Sequence, residues 1–116
     1  MTYQSGKHPA LIIHTTEPFN AETPPDLITR EAITPNELFF ARNHGAIPEV
    51  DSDTYRLTVG GLVERPLSFS LADLRRSFPA QTVAATLQCA GNRRRELSQV
   101  TDIPNEVLWD LGTISH

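Results

Sequence analysis

Residues 87–94, LQCAGNRR, hold the only cysteine of this 116-residue chain. The last two residues of this stretch begin a run of three consecutive arginines, Arg93–Arg95. Residues 82–88, which come directly before Cys89, place Val83, Ala85 and Leu87 on one side, which predicts a β-strand. Cys89 is therefore expected at the C-terminal end of a strand, where a loop begins. Rigid scaffolds often present functional side chains at such positions.

The chemistry open to Cys89 depends on its neighbours. A thiol acts as a nucleophile or metal ligand in its thiolate form, which nearby cations favour. A soft thiolate suits a transition metal, but one cysteine cannot build a structural zinc site of four protein ligands. Any metal here must take most of its ligands from elsewhere, such as an organic cofactor. The competing interpretation is a buried cysteine that packs as a small hydrophobe, beside a solvated arginine run.

Composition limits the class of protein. The chain is long enough for one small domain, with 39% hydrophobic residues, nine prolines and a net charge of −4. The few basic residues argue against a nucleic-acid partner, and a single cysteine cannot form an internal disulfide. The apolar run 10–13 is too short for a signal sequence or a membrane span, so we expect a cytoplasmic protein without a membrane span.

The pattern along the chain predicts a mixed α+β fold of short strands and few helices. Prolines in residues 1–35 predict an extended, loop-like N-terminal segment over the surface. The remaining residues, 36–116, form the predicted domain, which opens with a short helix near Pro35.

The middle of the chain has the clearest local signals. Alternation over Tyr55–Val59 predicts a half-buried strand, and residues 66–70 predict a second strand after a glycine turn. Ser70 and Asp73 have the spacing of a capping box, which predicts a helix that Pro79 ends.

Arginine offers a second kind of chemistry. Its planar guanidinium binds oxyanions through paired hydrogen bonds. Arg42 and Arg94 would converge on a small dianion if their two loops faced each other.

The sequence resembles the sulfite oxidase family, which includes plant-type nitrate reductases. Residues 40–48, FARNHGAIP, resemble the family segment F-x-R-N-H-x-x-x-P, and residues 87–94 resemble T-L-x-C-A-G-N-R-R. The linking stretch 55–79 and the ending WDLGTIS, 109–115, are also similar, so the resemblance covers about residues 36–116. It implies an incomplete sulfite-oxidase-type molybdopterin-binding fold.

The resemblance implies a role for each matching residue. Cys89 would be the single protein ligand to the molybdenum of Mo-molybdopterin. The residues that would line the pterin and the metal are Phe40, Ala41, Arg42, Asn43 and His44. Arg42, Arg94 and Trp109 would face the substrate, although Trp109 stands one residue further from the cysteine than the family pattern has it.

The implied activity is oxygen-atom transfer from a molybdenum centre, sulfite to sulfate. The implied partners are a small oxyanion, a separate electron acceptor such as a cytochrome and, for a full-length form, a second copy in a homodimer. Family members are longer, so we expect a fragment that is inactive by itself. Arg95 replaces a small polar residue of vertebrate sulfite oxidases. Reduction of nitrate or of an S- or N-oxide, and a non-enzymatic oxyanion-binding module, therefore remain alternatives.

Overall fold

The computed structural model describes residues 6–116, and short antiparallel strands are its main regular elements. In chain order the elements are β1 Ile12–Thr16, β2 Phe19–Glu22, α1 Pro25–Ile28, β3 Arg56–Val59, β4 Leu67–Ser70, α2 Leu71–Ser77, β5 Leu87–Gln88, α3 Arg94–Leu97 and β6 Ile114–Ser115. The pairs β1–β2, β3–β4 and β5–β6 form three two-stranded sheets. These elements confirm the predicted α+β class.

The chain divides into two compact units. Residues up to Ile47 join Ala84–His116 in one unit, and Pro48–Val83 form the other. The predicted boundary at residue 35 stays a prediction, and residues 1–5 of the predicted N-terminal segment lie outside the described residues. No helix in the described range is long and apolar enough to cross a membrane.

The expectation of a loop-like N-terminal segment on the surface is wrong for residues 12–22. These residues form the β1–β2 hairpin, and all four residues of β2 are buried. Phe19 and Ala21 pack with Leu11 in the apolar cluster of this unit. The prolines are compatible with the hairpin because they stand in its turn, at Pro18, and after β2, where no ladder hydrogen bond is lost.

A fully buried carboxyl group, that of Glu22, attaches the hairpin to the loop at residues 109–113. Its Oε1 hydrogen-bonds with His14 Nε2 at 2.8 Å. Its Oε2 accepts from the backbone N–H groups of Asp110, at 3.0 Å, and Gly112, at 3.1 Å. A Cβ on Gly112 would overlap the carbonyl oxygen of Thr23, so only glycine permits this approach.

The same hairpin holds the segment around Arg42. Ala21 and Ala41 exchange two backbone hydrogen bonds of 3.0 and 2.9 Å. Asn20 Oδ1 accepts from the N–H of Asn43 at 2.8 Å, and Asn43 Nδ2 donates to the carbonyl of Phe19 at 2.6 Å. β2 therefore contacts the segment of Arg42 and the loop that follows Trp109.

The strand predicted over residues 82–88 is much shorter, because β5 contains only Leu87 and Gln88. Both pair with β6. Within the described part of the chain, residues 82–86 have no partner strand, and the Val83 side chain is 77% exposed. Cys89 still follows directly after the strand, as predicted. The helix predicted near Pro35 is a hydrogen-bonded turn instead.

The unit at residues 48–83 confirms the predicted strand pair and helix. β3 and β4 pair in register from Arg56↔Ser70 to Val59↔Leu67, although β3 is exposed throughout rather than half-buried. α2 begins with the predicted capping box, in which Ser70 Oγ accepts from the N–H of Asp73 at 3.1 Å. The hydrogen bonds from Ser70, with Arg76 close by, lower the pKa of Asp73 to about 2.

We expect Ser70→Ala to shorten α2 and to destabilise this unit by about 1 kcal/mol, because the N-terminal amides of the helix lose their cap. The pKa of Asp73 should also rise toward the ordinary value, since the Ser70 hydroxyl is the main cause of its shift. Chemical denaturation and an NMR titration of Asp73 measure the two effects. Ser77→Ala, at the exposed end of the same helix, is the control. Equal behaviour of the two variants would contradict the prediction.

We expect Glu22→Ala to lower the free energy of unfolding by about 2–4 kcal/mol, because it leaves two buried amides without an acceptor. Urea denaturation followed through the fluorescence of Trp109, the only tryptophan, measures this loss. Glu31→Ala removes an exposed carboxylate and should change stability by no more than about 0.5 kcal/mol. A Glu22→Ala protein as stable as Glu31→Ala would show that the buried carboxyl group is not needed.

Candidate functional site

The thiol of Cys89 lies at the start of a tight loop that hydrogen bonds fix. The N–H of Cys89 donates to the carbonyl of Thr113 at 2.9 Å, and its own carbonyl accepts from the N–H of Asn92 at 3.0 Å. The N–H of Gly91 donates to Sγ at 3.4 Å. The partly buried sulfur is therefore accessible and has an amide donor beside it.

Three of the predicted site residues meet around Gly91. A Cβ at Gly91 would lie 2.7 Å from Arg94 Nη2 and 3.0 Å from Trp109 Cδ1, so the guanidinium and the indole both lie against its backbone. Its N–H contacts the sulfur of Cys89. The glycine of the cysteine loop thus permits a thiol, a cation and an aromatic ring to share one small region.

The loop of Cys89 is also fastened to the residues around Trp109. The N–H groups of Arg93 and Arg95 donate to the carbonyls of Asp110, at 2.7 Å, and Trp109, at 3.0 Å. The side-chain amide of Asn92 has one orientation in which both its oxygen and its nitrogen find hydrogen-bond partners. In that orientation the nitrogen donates to the same Asp110 carbonyl at 3.0 Å. These bonds make the two loops one structural element.

Each of the three consecutive arginines has an acidic partner. Arg93 pairs with Glu96, and Arg95 pairs with Asp110 at 2.7 Å. Arg94 Nη1 donates to Glu106 Oε2 at 2.7 Å and to the carbonyl of Val107 at 3.2 Å. Arg94 is the least exposed of the three, at 21%, so only part of the arginine run is ordinary solvated surface.

Trp109 is fully buried, and its Nε1 has no hydrogen-bond partner among residues 6–116. Its ring meets the His14 ring edge-on, with 4.8 Å between centroids. A buried donor without an acceptor costs about 1–3 kcal/mol, so native proteins rarely leave one unexplained. This N–H is therefore a buried polar group that the described residues leave unsatisfied.

The second predicted segment folds onto itself and onto the hairpin. Arg42 Nη1 donates to the carbonyl of Asn43 at 2.6 Å, and Nη2 contacts the His44 ring nitrogens at 2.9 and 3.1 Å. The N–H of Phe40 donates to Ser115 Oγ at 3.5 Å. The convergence of Arg42 and Arg94 on an anion stays a prediction.

These residues suit a metal that arrives inside an organic cofactor. In the described range no three His, Cys, Asp or Glu side chains are grouped to hold a metal ion. The site instead offers one soft sulfur with an amide donor beside it, the kind of neighbour that a metal-bound thiolate accepts. The unpaired indole N–H adds a donor for an oxygen of the cofactor or substrate. The donor set therefore fits Mo-molybdopterin, and the assignment of Cys89 as its protein ligand stays a prediction.

The sequence reasoning missed three residues of this region: His14, Glu22 and Glu106. The alternation of Phe19 and Ala21 with Asn20 and Glu22 was a strand signal that the neighbouring prolines obscured. Nothing local in the sequence marks Glu106 as the partner of Arg94, because the pairing depends on the path of the loop between them.

Comparison with known proteins identifies the family of the chain. The family model described as oxidoreductase molybdopterin binding domain matches residues 44–116. The chain is 51% identical over 109 residues to sulfite oxidase of Gallus gallus and 50% identical over 110 residues to the mitochondrial sulfite oxidase of Homo sapiens. It is 43% identical over 111 residues to nitrate reductase [NAD(P)H] of Hordeum vulgare.

Each of these alignments covers 94% of the chain but only 24%, 20% and 12% of the respective relatives, so the chain spans about a quarter or less of their length. The matched range contains Cys89, Arg94 and Trp109, while Phe40–Asn43 precede it. By its motifs, its site and these matches, the chain belongs to the oxidoreductase molybdopterin-binding domain family.

Proposed function

We propose that this chain is part of a molybdenum-dependent oxidoreductase of the sulfite oxidase type, which converts sulfite to sulfate by oxygen-atom transfer. The observation that carries the proposal is the meeting of Cys89, Arg94 and Trp109 around Gly91. The higher identity to sulfite oxidases, 51% against 43% for the barley nitrate reductase, favours sulfite as the substrate.

Mo-molybdopterin, when bound, supplies the two-electron redox change and the oxygen atom that the reaction transfers. The residues of this chain hold and orient the participants. Cys89 provides the sulfur ligand, and the Gly91 N–H stabilises charge on that sulfur. The Nε1 of Trp109 donates to an oxygen within the site, from a ring that packing against His14 and Gly91 keeps in place.

The anion is bound by the guanidinium of Arg94. The edge of this planar group presents paired N–H donors to an oxyanion and offsets the negative charge there. Two features fix its orientation: the Val107 carbonyl, which accepts from Nη1, and the bare backbone of Gly91. Arg42 supplies a second cation if its loop turns toward the same anion.

One alternative within the same family is reduction of nitrate. The match to barley nitrate reductase covers as much of the chain as the matches to sulfite oxidases. Arg95, which pairs with Asp110, is a departure from the vertebrate sulfite oxidase pattern. Parallel assays with sulfite and nitrate separate the two activities.

A second alternative is a non-enzymatic oxyanion-binding module built on the arginine loop. It would retain sulfate binding in a Cys89→Ser protein that contains no metal, whereas an enzyme site would lose the cofactor and turnover in that variant.

We extend the proposal to the partners and the location. An oxidoreductase of this type passes its electrons to a separate acceptor, and we propose a protein such as a cytochrome. We also propose that a full-length form is a homodimer. A cytoplasmic location is supported by the single cysteine, which suits a reducing compartment. The human relative is named mitochondrial, so cell fractionation with an antibody to the chain is the deciding measurement.

We expect a chicken sulfite oxidase in which this chain replaces the matching 109-residue stretch to oxidise sulfite faster than it reduces nitrate. In that chimera, Arg94→Ala should lower kcat/KM for sulfite by about 100-fold, because a pre-organised donor to the anion is lost. Cys89→Ser should abolish turnover. Steady-state kinetics with both substrates measure these effects.

The matched control for Arg94 is its neighbour Arg93, which is exposed and pairs with Glu96. Arg93→Ala should leave kcat/KM for sulfite within about twofold of the parent chimera, since a surface ion pair contributes little. Equal losses in the Arg93 and Arg94 variants would contradict the assignment of Arg94 to the substrate.

We expect the 116-residue chain by itself to bind far less than one molybdenum per chain and to show no sulfite turnover. Large apolar side chains are exposed in it, including those of Leu62, Val83 and Val100, so the contacts that hold a site rigid are incomplete. Metal analysis after expression with added molybdate, together with a sulfite assay, tests this. Near-stoichiometric molybdenum with turnover would contradict it.

A further inference from the structure

The guanidinium assigned to the substrate already holds a carboxylate. Arg94 Nη1 donates to Glu106 Oε2 at 2.7 Å, a charge-assisted hydrogen bond of the kind that a guanidinium gives to any oxyanion. Among the described residues, Arg94 Nε and Nη2 donate no hydrogen bond. A bound oxyanion therefore has to share this cation with Glu106 or displace it.

The two partners of this pair are held very differently. Arg94 is 21% exposed, lies against Gly91 and donates to the Val107 carbonyl. The Glu106 side chain is 41% exposed, and in the described range Arg94 is its one hydrogen-bond partner. Glu106 also lines a surface pocket of about 350 Å³ together with His14, Thr15, Asn105, Val107 and Leu108. The carboxylate has open space beside it, while the guanidinium stays in place.

We propose that Glu106 is an internal competitor that occupies Arg94 and weakens the affinity of the site for oxyanions. This inference rests on the proposed function, because it takes Arg94 as the anion-binding residue. An oxyanion at Arg94 either shares the guanidinium with the Glu106 carboxylate, whose negative charge repels it, or displaces that carboxylate toward solvent. Glu106 thereby sets the anion concentration at which the site fills.

A purely structural role of Glu106 makes the opposite prediction. If the carboxylate were needed to orient Arg94, removing its charge would weaken anion binding. Glu106→Gln separates the two roles, because the amide oxygen can still accept from Nη1 while the negative charge is gone. The other two contacts of Arg94, to Val107 and Gly91, are unchanged in this variant.

The experiment is a titration of the 116-residue chain with sulfate, an unreactive divalent oxyanion, followed through the Arg94 Nε–H resonance by NMR. We expect Glu106→Gln to bind sulfate about fivefold more tightly than the unaltered chain, the size of effect that one exposed charge at contact distance produces. The difference should shrink as sodium chloride is raised, since salt screens the charge that was removed. Blue-shifted emission of the buried Trp109 verifies that each protein is folded.

Glu96→Gln is the matched control, because it removes the same charge from the ion pair of the neighbouring Arg93. It should leave sulfate affinity unchanged. Unaltered or weaker sulfate binding by Glu106→Gln overturns the inference, and so does equal tightening by Glu96→Gln. An Arg94→Ala chain that binds sulfate as tightly as the unaltered chain overturns the proposed anion site itself.

The same variants in the chicken chimera give a second measure that does not depend on the folding of the isolated chain. Glu106→Gln should lower the sulfate inhibition constant and the KM for sulfite by a similar factor, with kcat unchanged, because the competitor acts on binding rather than on chemistry. A raised KM or a loss of kcat would show that Glu106 positions Arg94 and would overturn the inference.

Discussion

The buried carboxyl group of Glu22 is the contact on which the site-bearing unit depends. It joins the hairpin to the loop at Trp109 through His14 and through the amides of Asp110 and Gly112. Hydrogen bonds to a charged group contribute about 1.5–3 kcal/mol each, and a buried acidic group is tolerated only when it is well satisfied. The position of the indole ring is therefore determined by a residue that lies 87 positions earlier in the chain.

This unit is organised by polar contacts more than by an apolar core. Its cluster of buried apolar residues is Leu11, Phe19 and Ala21, with Leu38 and Trp109 buried outside it, whereas its buried polar residues include Asn20, Glu22, Thr23, Thr34, Thr113 and Ser115. Directional hydrogen bonds specify distances and angles that apolar packing leaves adjustable. Such a framework suits a site in which a sulfur, a cation and an indole N–H must keep fixed relative positions.

The sequence predicted those parts of the protein in which local signals agree. The capping box at Ser70, the strand pair β3–β4 and the position of Cys89 after a strand were all predictable from neighbouring residues. The hairpin is not predictable in the same way, because the prolines on either side of residues 19–22 favour a loop and obscure the alternation of apolar and polar side chains between Phe19 and Glu22. The short β5 and the pairing of Arg94 with Glu106 arise from tertiary contacts, which no window of neighbouring residues contains.

The six glycines of this chain carry unequal constraints. At Gly112 the backbone of Thr23 lies close enough to exclude even a methyl group, and at Gly91 a methyl group would displace the Arg94 guanidinium, while at Gly45 and Gly60 that space is empty. Every missense change in a glycine codon adds at least one carbon atom. Substitution of Gly112 should therefore push the backbone of Thr23 away and open the loop that carries the indole, whereas a side chain at Gly45 or Gly60 enters empty space.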